Sequence, residues 1–209
     1  AFAKTKVWIY IFEGLKKRQI RLSRVEIKKI MGSMRKARAP EYAKMVMEYA
    51  ISKDKDIYQD SNIVRHFLAT LKDTNDEQYI EYLPKIIEYA KEHGATATLV
   101  CAFNQERTHD IAIQHALEAS VWDNDLLDHA LEACKHLKDV DKAWEAVNKA
   151  LESGLVPTES NMVLLIEVHN VSKEGDIQRV VELLKAHKMT VNFAIANKLA
   201  VYFASRSQF

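Results

Sequence analysis

The side chains with reactive potential are eight histidines, two cysteines and several close pairs of acids. No His-Glu-x-x-His occurs, so helical zinc-hydrolase chemistry has no frame here. Asp125 and His129 share a helix face at i, i+4, and Cys134 follows closely. Carboxylate, imidazole and thiolate are the ligands zinc takes. The same residues also read as a surface acid–imidazole pair beside a buried thiol, and that reading is preferred. Asp123/Asp125 and Asp139/Asp141 have the composition of general acid–base pairs. Their place at helix starts favours another role: a carboxylate there accepts from free N–H groups and complements the helix dipole. Gly14, Gly32, Gly94, Gly154 and Gly175 are isolated, and no Gly-Lys-Ser/Thr follows any of them, so no phosphate-cradling loop is expected. Cys101 lies in the apolar run Thr98-Leu99-Val100-Cys101-Ala102-Phe103 and reads as core rather than nucleophile. The expectation is a chain without enzymatic activity, cofactor or metal.

Charge is the stronger signal. Residues 1–40 hold 12 Lys/Arg against Glu13 and Glu26, a net of +10, and residues 41–209 carry −9. Such a basic arm can latch onto phosphate or an acidic protein surface, or dock on its own acidic body. The residues expected to bind a partner are Lys16, Lys17, Arg18, Arg21 and Arg24.

The elements that must carry these groups are helices. In 209 residues there are 5 Gly and 3 Pro, too few for sheets or long loops, while 48% hydrophobic residues suffice for a core. Ser23–Glu26 and Thr74–Glu77 have the form of capping boxes, and Pro40 suits a first helical turn. Helices are expected over 5–17, 24–38, 41–53, 61–72, 75–92, 96–106, 109–121, 124–137, 140–153, 159–173, 176–187 and 192–205. Pro84 should kink or restart the fifth of these, and Gly94 should end it in the left-handed conformation. Links of two to five residues force antiparallel neighbours. Tyr79 and Tyr82 read as inter-helix packing or as an exposed protein-binding face. Two cysteines fit a reducing compartment. Ala1 rather than Met stands first, and no apolar run near it is long enough to span a bilayer. Location in the mitochondrial matrix, after import and processing, is the expectation.

Asp139 and Asp176 open helices 37 residues apart, and the links at Val156-Pro157 and Val191-Asn192 lie 35 apart. A period near 35 belongs to stacked helix pairs. The stretch Leu126-Leu127-Asp128-His129-Ala130-Leu131-Glu132-Ala133-Cys134-Lys135, then Asp139-Val140-Asp141-Lys142-Ala143-Trp144, then Leu151-Glu152-Ser153-Gly154-Leu155-Val156-Pro157, resembles a pentatricopeptide repeat. Lys173-Glu174-Gly175-Asp176-Ile177 resembles the next unit, and 192–206 a final first helix. The likeness is good over 123–192, loose over 60–122 and absent over 1–58. The Trp/Gly/Tyr pattern of tetratricopeptide repeats is missing. The resemblance implies an all-α, right-handed solenoid of antiparallel helical hairpins over 59–209, preceded by a basic helical extension over 1–58.

The pentatricopeptide family reads RNA one base per repeat through polar side chains. Carried over, the reading positions would be Asp128 and Thr158, then Val163 and Phe193. An acid and two apolar residues fit that task poorly, and the −9 body opposes a polyanion. What the resemblance implies is a scaffold that grips protein: a peripheral, non-catalytic subunit docked on the F1 catalytic sector of mitochondrial ATP synthase, with F1-ATPase subunits as partners. An RNA-associated protein or a mitochondrial ribosomal subunit is the alternative.

Overall fold

A computed structural model describes residues 7, 10, 12–14, 16–18, 20–172 and 176–206. Among them are eleven α-helices, one 3-10 turn and no strand. In chain order the helices are α1 (Arg24–Ala37), α2 (Pro40–Lys53), α3 (Ser61–Asp73), α4 (Tyr79–Glu92), α5 (Thr96–Glu106), α6 (His109–Leu117), α7 (Asn124–Leu137), α8 (Val140–Glu152), α9 (Glu159–Ser172), α10 (Ile177–Ala186) and α11 (Phe193–Arg206), with the turn at Ile57–Gln59. Of the helix expected over 5–17, Val7, Tyr10, Phe12–Gly14, Lys16 and Lys17 are helical and the rest lies outside the described residues.

Local chemistry sets most boundaries. Ser23 and Glu26 form the expected capping box of α1, and Pro40 begins α2 where its missing N–H costs nothing. Asp60, Asp123, Asp139 and Asp176 each accept a first-turn N–H, opening α3, α7, α8 and α10. Each such cap contributes about 1 kcal/mol. Gly94 and Gly154 end helices with φ of 63° and 85°, as does Lys138 at 58° despite its Cβ. Thr74–Glu77 does not open a helix. The Thr74 hydroxyl instead donates to the Thr70 carbonyl at 2.8 Å, closing α3, and α4 starts at Tyr79. Pro84 lies inside α4 without restarting it.

Contacts group the chain into two compact units, 1–105 and 106–209. In unit 1, α1 packs on both α2 and α3, and α3 on α2, α4 and the 3-10 turn. Thr98 of α5 donates to the Tyr58 carbonyl at 2.7 Å, which seats α5 beside that turn. Buried Met31, Met34, Met47, Phe67, Leu68 and Ile86 fill the core. In unit 2, α7 packs on α6, α8 and α9, and α9 on α8, α10 and α11. Leu126, Leu127, Leu131, Val147, Leu165 and Ile166 are its buried centre.

Both units repeat one arrangement: the first helix of an antiparallel pair lies against the first helix of the next. The row α1–α3 occurs in one unit and α7–α9–α11 in the other. First helices begin at Arg24, Ser61, Thr96, Asn124, Glu159 and Phe193. These intervals are near 35 residues apart from the shorter step from Thr96 to Asn124. Polar ties follow the same interval. Lys44 Nζ meets Asp76 Oδ2 at 3.0 Å, and Glu167 joins Lys135 at 3.2 Å and Lys198 at 2.5 Å, linking three successive first helices. The α1/α2 pair, outside the stretch with repeat-like sequence, is built the same way.

Candidate docking surfaces

The basic segment lies on its own unit. Phe12 is 5% exposed and meets the Tyr49 ring edge-on at 5.4 Å, while the Tyr49 hydroxyl donates to the Ile20 carbonyl at 2.5 Å. Leu22 is buried beside them. These contacts fix the segment against α2 and leave Lys16, Lys17, Arg18 and Arg21 exposed. Arg24 differs from the other four. Its Nε donates to Asp54 Oδ2 at 2.9 Å and its Nη2 to the Asp56 carbonyl at 3.2 Å. The Arg24 guanidinium holds the Asp54 carboxyl below its usual range against the opposing effect of burial, with the Asp56 N–H and the Arg21 charge adding to it. Asp56 in turn accepts from Tyr89 of α4 at 3.0 Å. Arg24 therefore ties the start of α1 to the end of α2.

A second basic surface lies between α1 and α3. Val25, Lys28, Lys29, Gly32, Ser33, Arg35 and Lys36 from α1, with His66 and Asp73 from α3, line a groove of about 770 Å³. Gly32 makes the floor: a Cβ there would stand 3.6 Å from His66 Nε2, so the ring lies directly against α1. Burial pushes His66 down to about 4, and the neighbouring Arg65, Arg35 and Lys28 add to the effect. The imidazole is neutral at pH 7, and the groove's positive charge comes from the lysines and arginine. Asp73, 3.5 Å from Arg35, is the one acid among the described lining residues. The sequence signal for this site is the pairs 28/29 and 35/36, seven apart on one helix. What the sequence does not state is that α3 would lie alongside to make a groove of that face.

The positions aligned with base-reading residues are occupied otherwise. Asn161, 1% exposed, donates to Asp128 Oδ1 at 2.6 Å and to the Asn124 carbonyl at 3.2 Å. Its Oδ1 accepts from the Thr158 N–H at 2.6 Å and the Thr158 hydroxyl at 2.9 Å. Ser160 donates to Asp128 Oδ2 at 2.9 Å. Asp128 thus joins α7 to α9, while Thr158 holds the Asn161 amide in place at the start of α9. No protein-family model matches the chain, and no curated protein matches it. Val163 is half-buried, and Phe193 stands 87% exposed at the start of α11. Phe203 and Val201 are also exposed on α11.

The other reactive groups are absorbed by structure. Asp123 and Asp139 cap helices at 2.7 and 2.9 Å. Cys101 and Cys134 are buried, and burial, with Asp139 adding, pushes the Cys134 thiol up to about 12. His129 is buried with its Nδ1 3.8 Å from Glu132 rather than paired with Asp125. Among the described residues no group of three or more His, Cys, Asp and Glu is arranged to hold a metal. Nor is any described helix long and apolar enough to cross a membrane. Trp144 donates to His169 Nε2 at 3.2 Å, and the Arg179 guanidinium stacks 3.9 Å from its ring. Tyr82 packs edge-on against Phe67 of α3 at 4.9 Å and donates to Glu48 of α2 at 3.4 Å, and Tyr79 is half-buried against the same core.

Proposed function

We propose that the chain is a non-catalytic helical-repeat subunit of a larger mitochondrial-matrix assembly, holding a partner protein on its surface. Stacked pairs give an extended face that follows a partner's contour without a deep pocket. The observation that carries this reading is the network of Asn161, Asp128, Thr158 and Ser160. Asp128, placed where a base would be read, is spent on joining neighbouring repeats, and Thr158 holds the Asn161 amide that meets it. The exposed cations Lys16, Lys17, Arg18 and Arg21 are available to steer an acidic partner. The pentatricopeptide resemblance points to the F1 catalytic sector of ATP synthase as that partner, and to a right-handed solenoid as the finer architecture.

Affinity purification of the tagged chain from mitochondria tests the partner. F1 subunits should co-purify, and reversal of Lys16, Lys17, Arg18 and Arg21 should weaken their retention. Recovery of ribosomal proteins or of a transcript alone would overturn the F1 assignment. The RNA-associated alternative would draw only on the positive charge of the groove between α1 and α3. That alternative requires oligoribonucleotide affinity that falls steeply with salt. Scattering tests the solenoid, which should exceed the radius of gyration of roughly 17 Å expected for a compact chain of this length.

A further inference from the structure

The groove between α1 and α3 has a charge pattern that selects its occupant. Lys28 and Lys29 form one cationic cluster, Arg35 and Lys36 the next. Seven helical residues separate the clusters, a distance of about 10 Å at 1.5 Å per residue. Between them Gly32 and Ser33 leave α1 without a bulky ridge, and His66 forms a flat neutral floor. A converging phosphate site would bring its donors to one point, and this one spreads them along a line. A helix lying lengthwise has the matching repeat, since its own residues i and i+7 are also about 10 Å apart on one face. The small Gly32 lets the His66 ring lie flat against α1, so the middle of the groove presents no projecting side chain between the two clusters. At one end Val25, 62% exposed, offers an apolar contact that a wholly ionic site would lack.

Single-stranded RNA is the competing polyanion. Its recognition relies on bases stacked on aromatic rings or on guanidinium planes. Among the described residues the groove lining contains no Phe, Tyr or Trp, its imidazole lies against α1, and the arginine it contains is paired with Asp73.

We propose that this groove seats an acidic helix of a partner protein, whose carboxylates about seven residues apart meet the Lys28/Lys29 pair and Lys36. The inference rests on the protein-docking function and names the element of the partner involved. Fixed charges along two parallel helices set register and orientation more than bulk affinity.

Zero-length carbodiimide coupling of the purified native assembly is the test, because it joins a lysine only to a carboxylate in direct contact. Lys28 or Lys29, and Lys36, should each couple to acids about seven residues apart in one helical segment of a partner. The K29E/K36E full chain, both substitutions at exposed positions and its fold checked by circular dichroism, should be retained by the assembly at least tenfold less well. The groove assignment is overturned if these lysines couple to no partner acid while other lysines do. Undiminished retention of K29E/K36E, or ultraviolet cross-linking of the groove to RNA, overturns it equally. In each of these cases the subunit reading survives. If the wild-type chain enters no protein assembly, the docking function itself fails and this inference falls with it.

Discussion

Lys44 and Asp76 connect the first hairpin to the second, and both side chains are only 10% exposed. Replacing Lys44 with Met keeps the apolar stem and removes the charge. At 3.0 Å and an effective dielectric near 20, the attraction is about 5 kcal/mol before desolvation is subtracted. Removing one partner leaves the carboxylate of Asp76 in a site built for a pair, a loss that runs at about 3–5 kcal/mol. Asp76 Oδ1 keeps the Gln78 N–H at 3.0 Å, which places the expected cost at the lower end, about 3 kcal/mol. The second acid on Lys44, Glu41, has a side chain 75% exposed and loses little. Urea denaturation followed by circular dichroism would measure the change, read from the midpoint at constant slope. The double variant Lys44→Met/Asp76→Asn should recover most of the loss, since no unpaired charge remains. A cost below about 1 kcal/mol for Lys44→Met, or a double variant no better than the single one, would refute a buried pair across this seam.

Four further outcomes are expected. Lys138→Gly should raise stability by about 1 kcal/mol in the same assay, because φ of 58° strains a residue with a Cβ. Asn161→Ala should lower it by about 2 kcal/mol, because the buried amide bridges half-buried Asp128 of α7 and Thr158 at the start of α9. Burial pushes Glu167 up, but Lys198 and Lys135 more than offset it, so its carboxyl titrates below the usual 4.5. The stability this contributes is present above that value and is lost as pH falls through the folded pKa. The advantage of wild type over Glu167→Gln should therefore be full at pH 7 and shrink below about pH 4.5. Iodoacetamide should leave Cys101 and Cys134 unmodified in the native chain and label both in urea, as buried thiols require.

What the sequence states plainly is local. The Ser23–Glu26 box, Pro40 and the opening aspartates act over three or four residues, so their meaning travels with the chain. Thr74–Glu77 has the same lettering and another role, because Lys44, 32 residues away, recruits Asp76 and the Thr74 hydroxyl finds the carbonyl behind it. The α1/α2 hairpin escapes a search for repeats for a related reason. Its link to α3 is a 3-10 turn held by Asp54, Asp56 and Asp60 rather than a Gly-x-x-Pro segment, although the resulting pair stacks as the later ones do. Partner-binding residues chosen by density of charge fall on 16–24. Folding ties Arg24 down and makes a groove of 28–36 instead, through a neighbour that the linear pattern does not name.

In a stack of helix pairs, a polar side chain on a first helix has two outlets, a ligand on the open face or the next repeat. Asp128 takes the second, through Asn161 and Ser160, and Glu167 does so in both directions, through Lys135 and Lys198. Each such tie strengthens the interface between neighbours, on which the stability of a stacked array depends. It also removes a group from the recognition surface. The row α7–α9–α11 is therefore stiff and poor in free polar readers. The row α1–α3 keeps Lys28, Lys29 and Lys36 on the outer side of the groove, facing solvent over a neutral floor. Recognition by charge and shape at one row, with inter-repeat ties at the other, is the division of labour that the proposed docking role predicts.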